Sequence, residues 1–318
     1  MRAALLEHFG ATPAPGEVEE PATGPGETLV EVRVAALNPV DLKIASGTFY
    51  GARPAPPYVP GSEGMGVVRA SQSWSPGTRV RFGASRPGGL AEVVAVPDDA
   101  LVAVPDEVED AVAGGIGVAG LAAWGSLHAG NLVEGDRVLV LGAAGVVGRL
   151  AIQSAVLLGA ARVVAAGRDT ASLQELVELG ANAVVTLGEE ESAAGAEAIV
   201  EAAGGQVDVI VDPLAGKPAL TAAMAAAPGG RLVNLGDAAG ETLEFPAALL
   251  RSKSLVILGY TNFALSLTEQ RSALEALLGH AGAGRLRLAC DVVPLDQVAD
   301  AWERQRTSPR RRLVVKLA

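Results

Sequence analysis

Between Asp136 and Ala160 the chain reads DRVLVLGAAGVVGRLAIQSAVLLGA, and this stretch leaves few folds open. Val138 to Leu141 is a short, β-branched-rich apolar run of the kind that forms a buried parallel strand, and it stops at Gly142. Gly145, Val146, Val147 and Gly148, then Leu150, Ile152, Val156 and Leu157, continue with helical spacing, so the glycines mark a strand-to-helix turn. In such a turn Gly142 takes the tight corner and Gly145 lets backbone amides approach a pyrophosphate. Gly148 lets the helix pack close to the strand, with its N-terminus toward the phosphates. Gly-x-x-Gly-x-x-Gly is a weaker signature than Gly-x-Gly-x-x-Gly, and a tight βα connection would also satisfy it. The strand before and helix after favour a dinucleotide site, with Gly142, Ala143, Ala144, Gly145, Val146 and Val147 as candidates.

The next strand bears on which dinucleotide. Arg162 to Ala166 leads into Gly167, Arg168 and Asp169, and Arg168 lies twenty residues beyond Gly148, where an NAD-binding turn usually carries an acid for the ribose 2′-hydroxyl. A guanidinium suits a 2′-phosphate instead, which favours NADPH over NADH, with Gly167 and Arg168 as contacts. Two other readings stay open: Arg168 as a solvated loop residue paired with Asp169, or a register one residue longer that puts Asp169 at the ribose.

Past the glycine turn the chain alternates regularly. Strands are expected at Val163–Ala166, Ala183–Thr186, Val207–Val211 and Arg231–Leu235, with helices at Thr170–Leu179, Glu190–Ala203 and Pro218–Ala226; that is a doubly wound parallel sheet in an α/β fold. Leu255–Tyr260 reads as one further strand, followed by a helix at Thr268–His280. The first hundred residues differ. Short strands at Met1–Leu6, Thr28–Leu37, Gly66–Ala70, Arg79–Phe82 and Leu90–Val96, separated by Pro and Gly, suggest a β-rich, barrel-like domain. Two polar, loop-like segments lie among them, Asn38–Lys43 and Val59–Gly66. The tail returns to strands at Leu286–Val293 and Leu313–Leu317 around a helix at Leu295–Gln305.

With 318 residues the chain suits two domains, and a net charge of −11 argues against nucleic acid and anionic membrane surfaces as partners. One cysteine, Cys290, cannot form an internal disulfide, and no signal-peptide pattern is read at the N-terminus, so a cytoplasmic location is expected. Ala111–Val133 runs 23 residues without Asp, Glu, Lys or Arg, long enough to cross a bilayer. Six of those residues are glycine, and a buried, closely packed helix is the better expectation.

Four motifs in order, Asn38-Pro-Val-Asp41, Pro60-Gly-Ser-Glu63-Gly-Met-Gly66, Gly120-Leu-Ala-Ala-Trp124 and Gly142-Ala-Ala-Gly-Val-Val-Gly148, resemble the medium-chain dehydrogenase/reductase superfamily in its zinc-independent quinone oxidoreductase branch. The resemblance covers essentially the whole chain. It implies a GroES-like catalytic domain from residues 1–112 and 261–318, a Rossmann domain over 113–260, and an active-site cleft. It further implies an Asn38 near nicotinamide and substrate, and cofactor contacts from Val118, Leu235, Gly236 and Tyr260. Tyr50, in the loop before Pro60, matches a tyrosine that hydrogen-bonds the substrate carbonyl or donates a proton. Tyr50 packing the cleft mouth while water supplies the proton is an equal reading, and Asn38 could instead be a turn residue. The edge strand Leu255–Tyr260 resembles one that pairs across a two-fold axis, which implies a homodimer.

The zinc-dependent branch carries Gly-His-Glu where this chain has Gly61-Ser62-Glu63, and a cysteine near Asn38-Pro39; neither ligand is present, and His8, His128 and His280 stand in separate contexts. No metal is expected. Without a Lewis acid the chemistry suits hydride transfer from NADPH to an acceptor polarised by its own carbonyl, a quinone or an α,β-unsaturated ketone. The alternative is an enoyl-thioester reductase of polyketide or fatty-acid type, and a non-catalytic NADPH-binding protein is a third class. The sequence departs from the family at Val146, where many relatives have a second glycine, and at Leu187, near a usual tyrosine. At Arg310–Arg312, relatives often have Gly-Lys; the cluster either faces the cofactor phosphate or forms a solvated strand end.

Overall fold

The computed structural model describes residues 1–51, 53–83, 85–86, 88–188 and 192–317. The N-terminal part holds strands β1 (Arg2–Leu5), β2 (Ala14–Glu17), β3 (Glu27–Ala36), β4 (Gly64–Ala70), β5 (Arg79–Phe82), β6 (Val93–Pro97) and β7 (Val102–Ala103). The middle holds β8 (Arg137–Val140), β9 (Arg162–Gly167), β10 (Ala183–Thr186), β11 (Val207–Asp212), β12 (Ala226–Asn234) and β13 (Val256–Gly259). The tail adds β14 (Cys290–Pro294) and β15 (Arg312–Lys316). Two compact units result, Met1–Ala119 with Ser266–Ala318, and Gly120–Leu265. They divide seven and five residues later than the expected breaks after 112 and 260. The helix Asp110–Gly115 stays with the first unit because it packs on β3 and β4.

In the second unit all six strands are parallel, in the order β10-β9-β8-β11-β12-β13. Successive crossovers run outward from β8 in both directions, so β8 and β11 flank the switch point where such sheets bind their ligands. Apolar residues of β8, β9 and β11 are fully buried, as strands covered on both faces must be. The expected strand Leu255–Tyr260 is β13, at the sheet edge. The expected helix Glu190–Ala203 spans Ala193–Ala203, and Glu190 lies outside the described residues.

In the first unit a seven-stranded sheet has the order β14-β15-β3-β4-β5-β7, with β6 also pairing β3. The tail strand β15 lies antiparallel to β3, Val315 opposite Ala35, so the last strand completes a sheet begun by the third. The core gathers side chains from both ends of the chain, including Leu6, Val32, Phe82, Trp302 and Leu313.

Three expectations are corrected here. Asn38–Lys43 is not a loop: Pro39–Ala45 forms a short helix, with Pro39 pre-set for the first turn and the Asp41 carboxylate accepting from Asn38 N at 2.8 Å. The end of Val59–Gly66 is strand, because its glycines admit close neighbours; a Cβ at Gly66 would stand 2.1 Å from the Glu31 carbonyl oxygen. Ala111–Val133 is not one helix but two, Asp110–Gly115 and Gly117–Ala129, broken at Ile116. No helix among the described residues is long and apolar enough to cross a membrane.

Candidate active site

Parallel strands bring their carboxyl ends to one edge of the second unit. Gly142 adopts φ +57°, a left-handed conformation that a side chain would strain, and turns the chain out of β8. The helix Val146–Leu157 then starts with Gly145 as N-cap and no side chain satisfying its first amides. Those N–H groups are left for an anion. Gly148 packs so closely that a Cβ there would lie 2.6 Å from both Ala143 Cα and the Gly142 carbonyl oxygen. This is a cradle that only glycines can form. Ala143 is buried beneath it, while Ala144, Val146 and Val147 are half-buried along it.

At the end of β9, Gly167 is half-buried and Arg168 is exposed. Asp169 is turned into the next helix, its carboxylate accepting from Ala171 N at 3.1 Å and Ser172 Oγ at 2.8 Å. At the end of β11, burial raises the Asp212 pKa, and the carboxylate accepts from Leu214 N, Ala215 N and Asn234 Nδ2. Asn234 also donates to the Gly236 carbonyl at 2.8 Å, which fixes Leu235 and Gly236 beyond β12. Tyr260, beyond β13, donates its hydroxyl to the Leu121 carbonyl at 3.0 Å, and a Cβ on Gly125 would collide with that phenol.

In the first unit the sequence motifs meet in a buried charged cluster. Glu63 is 0% exposed and Arg81 and Arg312 each 3%. Glu63 Oε2 accepts from Arg81 Nη2 at 2.9 Å and from Val118 N at 2.9 Å, while Oε1 accepts from Arg312 Nη2 and from Asn38 Nδ2 at 3.1 Å. Asn38 Oδ1 in turn accepts from Arg312 Nη2 at 2.6 Å. Asn38 is therefore neither a simple turn residue nor freely turning; its amide is locked between a carboxylate and a guanidinium. A Cβ at Gly117 would overlap Arg81 and Glu63, and one at Gly115 would press on Arg312, which explains the glycines that break the helix at Ile116.

Beside this cluster Asp41 is 1% exposed and accepts from Ser62 Oγ at 2.5 Å. Burial pushes its carboxyl up to about 6; the hydrogen bonds from Ser62 and Asn38 oppose the rise and the Glu63 charge adds to it. Tyr50 is 79% exposed, with its ring 4.6 Å from that of Phe49. His128 packs against Trp124, ring centroids 5.4 Å apart, and burial lowers its pKa. Among the described residues no three His, Cys, Asp or Glu side chains gather where they could hold a metal ion.

Neither reading of Arg310–Arg312 holds for Arg312, which is drawn into the interior by Glu63; Arg311 pairs with Asp291 on the surface. The roles of Glu63, Arg81 and Arg312 were missed by sequence reasoning. A partial signal existed. Two arginines stand in apolar strands, Arg81 between Val80 and Phe82 and Arg312 before Leu313–Val315, and each needs a buried anion.

Residues 24–106 match the alcohol dehydrogenase GroES-like domain family, and residues 146–278 the zinc-binding dehydrogenase family. A phenolphthiocerol/phthiocerol polyketide synthase subunit of Mycobacterium tuberculosis is 35% identical over 283 residues, 86% of this chain, although the match spans only 13% of that protein's length. Quinone oxidoreductase of Homo sapiens is 28% identical over 312 residues, covering 95% of this chain and 93% of the relative. The crystal structure of the quinone oxidoreductase from Thermus thermophilus, determined also in complex with NADPH, superposes with a TM-score of 0.85 at 30% identity and 100% coverage of both chains. With the GroES-like sheet, the parallel nucleotide sheet and these likenesses together, the chain belongs to the medium-chain dehydrogenase/reductase superfamily, in its quinone oxidoreductase branch.

Proposed function

We propose that the protein is a zinc-independent, NADPH-dependent reductase of quinones and α,β-unsaturated ketones, working as a cytoplasmic homodimer. The observation that carries the coenzyme assignment is the end of β9. Arg168 is exposed there, while Asp169, the acid that would otherwise serve a bare ribose, is occupied in capping the next helix. Bound NADPH supplies a hydride from C4 of its nicotinamide. The chain's part is to hold it: Gly142–Val147 offer amides to the pyrophosphate, Arg168 meets the 2′-phosphate, and Gly167, Leu235, Gly236 and Tyr260 line the same sheet edge. Asn38 and Val118, also proposed as cofactor contacts, are held in place by the hydrogen bonds of the Asn38 amide and the Val118 N–H to Glu63. Supporting an activated acceptor, Asn38 and Ser62 stand where the zinc-dependent branch has ligands.

A carrier-bound enoyl thioester is the second reading, favoured by the 35% identity to a polyketide synthase subunit. Against it, the one arginine in Phe49–Pro60 that could meet a phosphopantetheine arm, Arg53, donates to the Gly47 carbonyl. The reaction is tested with C4-deuterated NADPH and a cyclohexenone, run beside a crotonyl thioester. Deuterium is expected at the β-carbon of the ketone. Label only at the carbinol carbon would mean carbonyl reduction, and turnover confined to the thioester would establish the second reading.

The dimer is proposed through β13, whose outer edge pairs with no strand among the described residues and whose Val256 and Ile257 are 42% and 37% exposed. An apolar edge strand of this kind templates pairing with a second copy. Light scattering at micromolar concentration is expected to give twice the chain mass, and a charged residue at Ile257 to shift it toward one. A wild-type monomer would refute the assembly.

A further inference from the structure

Ser62 is half-buried in the turn that enters β4, and Asp41 stands behind it almost wholly enclosed. Ser62 Oγ lies 2.5 Å from Asp41 Oδ1, and Oδ2 accepts from Asn38 N. The hydroxyl thus separates a buried carboxyl from whatever approaches the turn. Its hydrogen-bonding direction depends on the charge behind it. With Asp41 ionised, the Ser62 hydrogen is committed inward and only lone pairs face out. With Asp41 protonated, the carboxyl donates to Ser62 Oγ, and the hydroxyl hydrogen is released as an outward donor.

We propose that Ser62 is the group that protonates the acceptor's carbonyl oxygen, with Asp41 as the proton store that recharges it. This rests on the reductase reading above. Burial favours the stored proton by pushing Asp41 up to about 6, and the groups facing it work in both directions. The Glu63 charge raises it, the Arg312 charge lowers it, and the half-buried Tyr58 contributes an un-ionised phenol whose enclosed hydroxyl has no hydrogen-bond partner among the described residues. Tyr50, by contrast, is 79% exposed, where water competes for its hydroxyl.

The balance is simple for an enone. The hydride forms the Cβ–H bond, the Cα–Cβ π pair becomes the bond from Cα to the carbonyl carbon, and the carbonyl π pair moves onto oxygen. The Ser62 O–H bond breaks as an O–H bond forms on that oxygen. Ser62 Oγ takes the carboxyl proton of Asp41, leaving a carboxylate that regains a proton from water through Ser62 once the enol has gone. The enol tautomerises in solution, so its α-hydrogen comes from solvent.

Four measurements test the pair. Ser62→Ala is expected to lower kcat for cyclohexenone by roughly 10²-fold, the lower range for loss of a general acid, with the NADPH dissociation constant unchanged. Wild-type kcat is expected to fall as pH rises above about 6, in step with loss of the Asp41 proton. In Asp41→Asn the amide still donates to Ser62 but has no proton to transfer, so the rate should be low and lack that limb. Read on the unloaded protein, carboxyl carbon NMR should show Asp41 titrating near the same pH, assigned by its absence in Asp41→Asn. An Asp41 that stays ionised well below about pH 5, a Ser62→Ala enzyme within about threefold of wild type, or a pH limb that survives Asp41→Asn would each overturn the inference while leaving the reductase reading intact. A wild-type protein that reduces neither quinones nor enones would overturn both.

Discussion

Glu63→Gln is expected to destabilise the GroES-like unit by about 3–5 kcal/mol, the range for breaking a buried ion pair by removing one partner. The wild-type carboxylate faces two guanidinium groups, and all three side chains are within 3% of complete burial. The amide is nearly the same size, so no cavity contributes. What remains is Arg81 and Arg312, two like charges left buried without their shared anion, and an NH2 group forced toward donors that cannot accept it. Either Asn38 Nδ2 or Val118 N, whichever faces the new NH2, loses its acceptor as well. Denaturant unfolding followed by the fluorescence of Trp74 and Trp302, both in this unit, checks the expectation. A midpoint unmoved by the substitution would mean that this ion cluster adds nothing to the stability of the unit. Removing one arginine should cost less than removing the acid, since the carboxylate keeps the other.

Arg168→Ala is expected to weaken NADPH binding by about 1–3 kcal/mol, roughly 5- to 150-fold, and to leave NADH nearly unchanged. The asymmetry follows from what each coenzyme offers. Only NADPH carries the 2′-phosphate that a guanidinium can grip, whereas the pyrophosphate common to both meets the glycine turn. Arg168 is exposed, so the substitution should not disturb the fold, and Asp169 stays tied to Ala171 and Ser172. Titration with each coenzyme separates the cases. Equal losses would move Arg168 from the 2′-phosphate to a general electrostatic role, and a gain in NADH affinity would show that the guanidinium had been shielding an acid.

How much of this was legible beforehand depended on whether a residue's task is local. The glycine turn was legible because its requirements lie within seven residues: a left-handed corner at Gly142 and a close approach at Gly148 follow from chain geometry alone. The parallel strands were legible because burial on both faces leaves continuous apolar runs. The helix at Pro39–Ala45 was not, since seven residues carry too little periodicity to outweigh the proline and polar residues at its start. The charged cluster was least legible of all. Val118, proposed from the family as a cofactor contact, commits its backbone amide to Glu63, and Arg312, read as a strand-end charge, is interior. These are pairings between residues far apart in sequence, which no local pattern encodes.

The pairing of Glu63 with Arg312 spans 249 residues of sequence, and β15 completes a sheet whose third strand is β3. On the ribosome, therefore, the first hundred residues emerge with a gap beside β3 and with one of their acid's two arginine partners still unmade. The parallel sheet of Gly120–Leu265 has all of its strands available well before that gap can close. For this part of the chain maturation thus runs against synthesis, because β3 and Glu63 wait for partners that are translated later.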